Sequence, residues 1–163
     1  MPRDTESEKA YALRECAQDL LARREHSQVE LKRKLMAKGF ENLEIENLLV
    51  TLAKEGLQSD ERFAEAYVHH RVDMGFGPRR IECELLERGL SQSLIQQYLP
   101  QDNAFWQERM ALVWQKKYHA KDNFNQRDYV KQACFLQQRG FESSEIVRWL
   151  NEVRRRGYSC QGE

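Results

Sequence analysis

Three glycines set the frame of this chain. Gly39, Gly89 and Gly140 stand 50 and 51 residues apart, and the residues around them recur in register. Four positions before each glycine comes Leu35, Leu85 or Leu136, and one before comes Lys38, Arg88 or Arg139. One position after comes Phe40, Leu90 or Phe141, six after comes Ile45, Ile95 or Ile146, and ten after comes Leu49, Leu99 or Leu150. Five coincident columns in three copies define an internal repeat, and a period of this length marks an array of like units.

The pattern reads as a helix, a sharp reversal and a second helix. A basic residue in the last turn complements the negative end of the helix dipole, glycine accepts the left-handed conformation just past the end, and the next apolar residue folds back onto the helix. Ser27 followed by Glu30 predicts a capping box at the start of a helix over Val29 to Lys38. Pro78 suits the first turn of a helix over Arg79 to Arg88. A longer helix leads each unit: Glu8 to Arg24, Ser59 to Met74 and Ala104 to Lys117. In the second of these, Phe63, Ala66, Tyr67 and His70 or Val72 form the stripe to be covered, with Asp60 and Glu61 placing negative charge in its first turn. Lys54 to Gln58, Gly75 to Gly77 and Ala120 to Asn125 are the connecting loops.

Nine helices in three three-helix repeats follow. The expected fold is all-α, an elongated, curved solenoid-like array. Its divisions are a flexible N-terminus 1–7, repeats at 8–57, 58–100 and 101–157, and a flexible C-terminus 158–163. The third repeat departs at one column. Where the first two carry Leu31 and Ile81, it carries Gln132, so its packing should differ.

Composition agrees. Val, Ile and Thr supply only 14 of 163 residues, against an abundance of Leu, Glu, Gln, Lys, Arg and Ala, the palette of helices and not of strands. Hydrophobic residues make up 40%, charged residues 32%, and the mean hydropathy is -0.82, which favours short elements burying narrow stripes over one large core. No stretch reaches the roughly 18 apolar residues of a membrane span. Cys16, Cys83, Cys134 and Cys160 form no C-x-x-C pair and the N-terminus has no apolar signal segment, which points to a reduced, cytoplasmic setting.

Little in the chain suggests chemistry. His26, His69, His70 and His119 show no zinc-ligand spacing, and of the adjacent His69 and His70 one is expected to be solvated and one half-buried. Gly75-Phe-Gly-Pro-Arg-Arg80 offers a glycine turn feeding a helix N-terminus but lacks the G-K-[ST] of a phosphate loop. A linker with a proline-started helix is the better reading, with Arg79 and Arg80 free to hold a phosphate or an acidic side chain. No nucleophile elbow is present. Binding, without catalysis and without cofactor or metal, is the expectation.

Charge is balanced in total, 26 basic against 26 acidic residues, so any contact with a polyanion must be local. Arg23, Arg24, Lys32, Arg33, Lys34 and Lys38 form one basic stretch, ahead of an acidic stretch from Glu41 to Glu65. Lys116, Lys117 and Lys121 form a second cluster, and Arg154, Arg155 and Arg156 a third. Aromatic residues crowd the last third: Trp106, Trp114, Tyr118, Phe124, Tyr129, Phe135, Phe141, Trp149 and Tyr158. Most should be core filler.

The runs Leu20-Leu-Ala-Arg-Arg-Glu-His-Ser27, Glu30-Leu-Lys-Arg-Lys-Leu35, Ser59-Asp-Glu-Arg-Phe-Ala64, Gly75-Phe-Gly-Pro-Arg-Arg-Ile81 and Phe135-Leu-Gln-Gln-Arg-Gly-Phe141 together resemble the RecX family, bacterial regulators of the RecA recombinase. The resemblance spans about residues 10 to 155. It implies a monomer that binds the RecA–DNA filament and inhibits its recombinase, ATPase and coprotease activities, regulating DNA repair and the SOS response. The family's motifs fall on Arg23, Arg24, Arg79 and Arg80. With Lys32 and Arg33 these are the candidate contacts to RecA or, directly, to DNA. A stand-alone DNA-binding module using helix 27–38, or a helical protein scaffold, are the alternatives.

Overall fold

The computed structural model describes residues 3–118 and 125–159, with side chains placed for 6–118 and 125–156. His119, Lys121, Phe124 and Cys160, the side chain of Tyr158 and most of the loop at 120–125 lie outside the described residues, as do residues 1–2 and 160–163. Among the described residues there are nine helices and no strand. They are α1 (Arg3–Arg23), α2 (Gln28–Ala37), α3 (Asn42–Lys54), α4 (Asp60–Asp73), α5 (Pro78–Glu87), α6 (Gln92–Tyr98), α7 (Asn103–Tyr118), α8 (Gln126–Arg139) and α9 (Ser143–Ser159). Helix α1 thus begins inside the stretch read from sequence as a flexible terminus, and α9 runs into the other.

The repeat columns are realised as expected. Gly39, Gly89 and Gly140 have φ of 91°, 82° and 91°, the left-handed conformation that a side chain would strain. At each one the next residue's N–H reaches back to the column leucine: Phe40 to Leu35 (3.4 Å), Leu90 to Leu85 (3.2 Å) and Phe141 to Leu136 (3.2 Å). Each glycine N–H donates in turn to Met36, Leu86 or Gln137, 2.9 Å in all three, which satisfies carbonyls the helix end would leave orphaned. The column leucines 35, 85 and 136 and isoleucines 45, 95 and 146 are buried. Each such side chain contributes about 1.5–3 kcal/mol by leaving water.

The described residues fall into two compact units, Met1–Tyr67 with Leu85–Ile95, and Val68–Glu84 with Gln96–Glu163, so the middle repeat supplies residues to both. In the first unit, Leu13 and Ala17 of α1, Leu31 and Leu35 of α2, and Ile45, Leu49 and Leu52 of α3 make one apolar cluster. In the second, Trp106, Met110 and Trp114 of α7 are buried, as are Leu136 of α8 and Ile146 and Leu150 of α9. Trp114 meets Trp149 edge to face at 6.2 Å, and Tyr118 meets Phe135 likewise at 5.7 Å; Trp106, Trp114 and Phe141 are buried, while Tyr118, Tyr129, Phe135 and Trp149 are half-buried.

The divergent column in the third repeat has a physical cause. Gln132 is buried, and its Oε1 accepts the Trp114 indole N–H at 2.7 Å. A buried indole N–H is stabilised by an acceptor, and the glutamine provides one for Trp114, although the Nε1 of the neighbouring Trp149 is buried without a partner among the described residues.

Three local expectations need correction. Ser27 caps α2, accepting the Glu30 N–H at 3.1 Å, but the Glu30 carboxylate does not close the box: it takes both Arg24 guanidinium donors, at 2.6 and 3.0 Å. In α4 the buried residues are Phe63, Ala64, Val68 and Val72, while Ala66 and both His69 and His70 are exposed. The stripe keeps Phe63 and Val72 as expected but runs through Ala64 and Val68 in place of Ala66 and His70, and neither histidine of the adjacent pair is the half-buried one expected. Arg139 stands in the last turn of α8 as expected. Its Nη1 also donates to the Met74 carbonyl at 2.8 Å, just past the end of α4.

Candidate partner interface

The first basic stretch belongs to the end of α1 and to α2. Arg23 and Arg33 are exposed and make no ion pair or hydrogen bond among the described residues. Arg24 is held by Glu30 and also donates to the Glu25 carbonyl at 3.0 Å. Lys32 is held by Glu46 of α3 at 2.7 Å, and that contact keeps the Glu46 carboxyl below the ordinary carboxylate range. Burial pushes the Glu30 carboxyl up, but the Arg24 hydrogen bonds and charge outweigh it, so Glu30 too ionises more readily than usual.

Lys34 points elsewhere. Its ammonium lies 3.0 Å from Nε2 of His26, a fully buried imidazole whose Nδ1 is 2.9 Å from the Arg24 carbonyl. A carbonyl can only accept and an ammonium can only donate, so Nδ1 carries the proton and Nε2 is the acceptor: His26 is neutral in one tautomer. Burial is the main reason its pKa lies below 6.5, and the charges of Arg24 and Lys34 act the same way. Around it the junction is closed by Gln58, whose Nε2 donates to the His26 carbonyl (3.2 Å) and to Asp60 (2.9 Å). The same Asp60 oxygen accepts the Gln28 N–H at 2.9 Å, so this acidic residue caps α2 as well as opening α4.

Arg79 and Arg80 begin α5 in the second unit. Arg79 forms a fork with Glu142, with Nη2 donating at 3.0 Å, and Arg80 pairs with Glu84 at 3.1 Å and donates to the Gln138 carbonyl at 3.0 Å. Of the two ligands the sequence allowed them, they hold the acidic side chain. Two amides of this helix start are likewise taken: the Gly77 N–H donates to the Arg139 carbonyl at 2.7 Å and the Arg79 N–H to the Gly140 carbonyl at 3.0 Å. Phe76, unremarked in the sequence, organises the cations: Arg71, Arg80 and Arg139 sit over its ring at 3.9, 4.5 and 5.0 Å. Arg71 is also forked onto the half-buried Glu84, its Nε donating at 2.7 Å.

Lys116 and Lys117, from the second basic cluster, line a cleft of about 450 Å³ with Arg109, Leu112, Phe135 and Arg139. Lys117 covers the Phe135 ring at 3.9 Å. In the third cluster Arg156 meets Glu152 at 3.7 Å. Among the described residues no group of three His, Cys, Asp or Glu side chains could hold a metal, and no helix is long and apolar enough to cross a membrane.

The structure thus places Arg23 at the end of α1, Arg24 in the turn that follows, Lys32 and Arg33 on α2, and Arg79 and Arg80 on α5. Sequence reasoning missed the partners Glu30, Glu46, Glu84 and Glu142 and the buried His26. An i, i+4 spacing marks Arg80–Glu84 beforehand, but the pairs across 14 and 63 residues carry no local signal.

Three-helix units in tandem, with exposed cations on α2 and α5, define a helical repeat protein. Its residues 14–52 match the family model of the first three-helix domain of RecX, and residues 59–99 match that of the second. Over 140 residues the chain is 44% identical to the regulatory protein RecX of Pseudomonas putida, covering 86% of this chain and 90% of that one, and 41% identical to its namesake in Pseudomonas syringae pv. tomato. The crystal structure of RecX from Lactobacillus salivarius superposes with a TM-score of 0.75 at 19% identity, covering 90% of this chain and 97% of that chain. The chain belongs to the RecX family of regulatory proteins.

Proposed function

We propose that this protein binds the RecA–DNA filament in the cytoplasm and inhibits its recombinase, ATPase and coprotease activities, acting as a monomer and a regulator of DNA repair and the SOS response. It carries no catalytic step of its own. The observation that carries the reading is the match of two successive three-helix domains to those of RecX, supported by relatives named as regulatory proteins. Its repeats divide at 8–57, 58–100 and 101–157, each supplying reach along a polymer.

Charge pairing favours a protein surface over bare phosphate as the main target. Four of the six candidate cations, Arg24, Lys32, Arg79 and Arg80, already face carboxylates. Such mixed surfaces complement a partner that also carries both signs. The unpaired Arg23 and Arg33 favour a second, smaller component, direct contact with DNA phosphate, which would make part of the affinity salt-dependent.

The test is RecA's DNA-dependent ATPase on preassembled filaments. Added protein should lower the rate, at once if it occupies the filament and slowly if it blocks growth. An unchanged rate across a full titration sinks the proposal. Binding to bare DNA that weakens steeply with salt and with Lys32→Ala and Arg33→Ala would favour the DNA-binding alternative.

A further inference from the structure

Two junctions in this chain are built alike. At the first, the Ser27 hydroxyl donates to the Arg88 carbonyl at 2.8 Å, and Val29 lies so close over Gly89 that a Cβ there would come within 2.2 Å of its methyl group. At the second, Gly77, fifty residues after Ser27, donates its N–H to the Arg139 carbonyl at 2.7 Å. The Arg79 N–H donates to the Gly140 carbonyl, and Arg80 lies over Gly140, 2.4 Å from where a Cβ would stand. In both, the amino end of one repeat's second helix sits on the carboxyl end of the next repeat's second helix. Donors meet acceptors, and the positive end of one dipole meets the negative end of another.

Gly39 is the equivalent position of α2. It has the same left-handed backbone and the same hydrogen bonds as Gly89 and Gly140, yet among the described residues a Cβ placed on it meets nothing within 4 Å, and Lys38 and Gly39 are exposed. The geometry points to the carboxyl end of α2, at Lys38 and Gly39, as a docking site for a helix–turn–helix corner of a partner protein, seated as α2 sits on Gly89 and α5 on Gly140.

The two filled junctions define what fits. The partner's helix must open with a hydroxyl or glycine, as at Ser27 and Gly77, so that a donor reaches the carbonyls at the end of α2. The helix before it offers its last carbonyls to Lys38, whose counterpart Arg139 donates to Met74 in that way. Nucleic acid fits less well, because a phosphate could meet the Lys38 ammonium but has no donor to offer the carbonyls at the helix carboxyl end, whose partial negative charge it opposes. A second copy does not fit either. Helix α8 closes its own amides, Asn125 Oδ1 accepting the Arg127 and Asp128 N–H groups at 2.9 and 3.0 Å. Fifty-one residues after Gly77, Asp128 would also bring a carboxylate against those carbonyls.

The site deepens the proposed regulatory function and rests on it for the partner, the RecA filament. Gly39→Asn places a side chain on the docking position while tolerating the left-handed backbone, and Lys38→Glu reverses the exposed charge. Both are titrated against the ATPase of preassembled RecA filaments, with folding checked by circular dichroism and thermal unfolding. The expected result is that wild type inhibits and that each folded variant needs about tenfold more protein for half-inhibition, a loss of one decade in affinity. Inhibition by wild type and both variants alike overturns the docking site and leaves the regulatory function standing. No inhibition by wild type overturns both. Should Gly39→Asn fail to fold, the exposed Lys38→Glu decides alone. A concentration-dependent dimer of wild type that Lys38→Glu abolishes, seen by analytical ultracentrifugation, would give the site to a second copy and overturn the proposed occupant.

Discussion

The Ser27 hydroxyl donates to the Arg88 carbonyl across 2.8 Å while its oxygen accepts the Glu30 N–H at 3.1 Å. One buried side chain therefore starts a helix and ties it to a residue 61 positions away. Ser27→Ala removes the cap and leaves the carbonyl without this donor. The expected cost is about 1–3 kcal/mol, read as a lower urea midpoint with an unchanged slope.

Gln132→Leu makes the third repeat resemble the first two in sequence but strands the Trp114 indole N–H. A loss of about 1–3 kcal/mol is expected. Adding Trp114→Phe removes the stranded donor, so the double variant should be more stable than the sum of the single losses. A purely additive double-mutant cycle would show that the hydrogen bond is not what selects glutamine.

Gly39→Ala and Gly140→Ala separate backbone strain from crowding. Both place a side chain on a left-handed backbone, at roughly 1–2 kcal/mol. Only Gly140 also meets the Arg80 backbone, which adds about 1–3 kcal/mol of overpacking. Thermal unfolding should rank Gly140→Ala well below Gly39→Ala.

His26 ties stability to pH. Its folded pKa lies below its ordinary value near 6.5, so the unfolded chain takes up the proton first as pH falls. The stabilisation from neutral His26 is fully present above the ordinary value and is lost as pH drops from there toward the lowered one. Urea midpoints at about pH 7 and about pH 5 should differ more for wild type than for His26→Gln. Equal differences would mean that other groups carry the acid sensitivity.

Arg23→Ala and Arg33→Ala should leave unfolding within about 0.5 kcal/mol of wild type, since neither side chain has a partner to lose among the described residues. Their effect should fall on RecA inhibition instead and shrink as salt rises. Arg79→Ala breaks an exposed pair with Glu142 worth about 0–1 kcal/mol, so a modest stability loss should accompany any change in inhibition.

What could be read from the sequence follows physical range. The glycine columns, Pro78 at the start of α5 and the Ser27 cap are local signals, set by backbone dihedrals and hydrogen bonds within a few residues, and the structure bears them out. Gln132 stood out as an anomaly, but its reason, Trp114, lies 18 residues away on another helix. The choice of Glu30 to hold Arg24 instead of closing a capping box turns on competition between two acceptors, and spacing does not rank them. Arg79 and Arg80 announce themselves as cations. That Glu142 and Glu84 hold them depends on tertiary packing.

The Trp114–Gln132 pair also bears on how such a chain finds its own fold. Helices drawn from one repeating pattern have similar apolar faces, so each could trade places with its counterparts during folding. A swap that put α2 or α5 beside Trp114 would bury an indole with nothing to accept its proton, and one that put α8 in their place would bury a lone amide. Two residues thereby act as an address label, keeping look-alike segments from being shuffled.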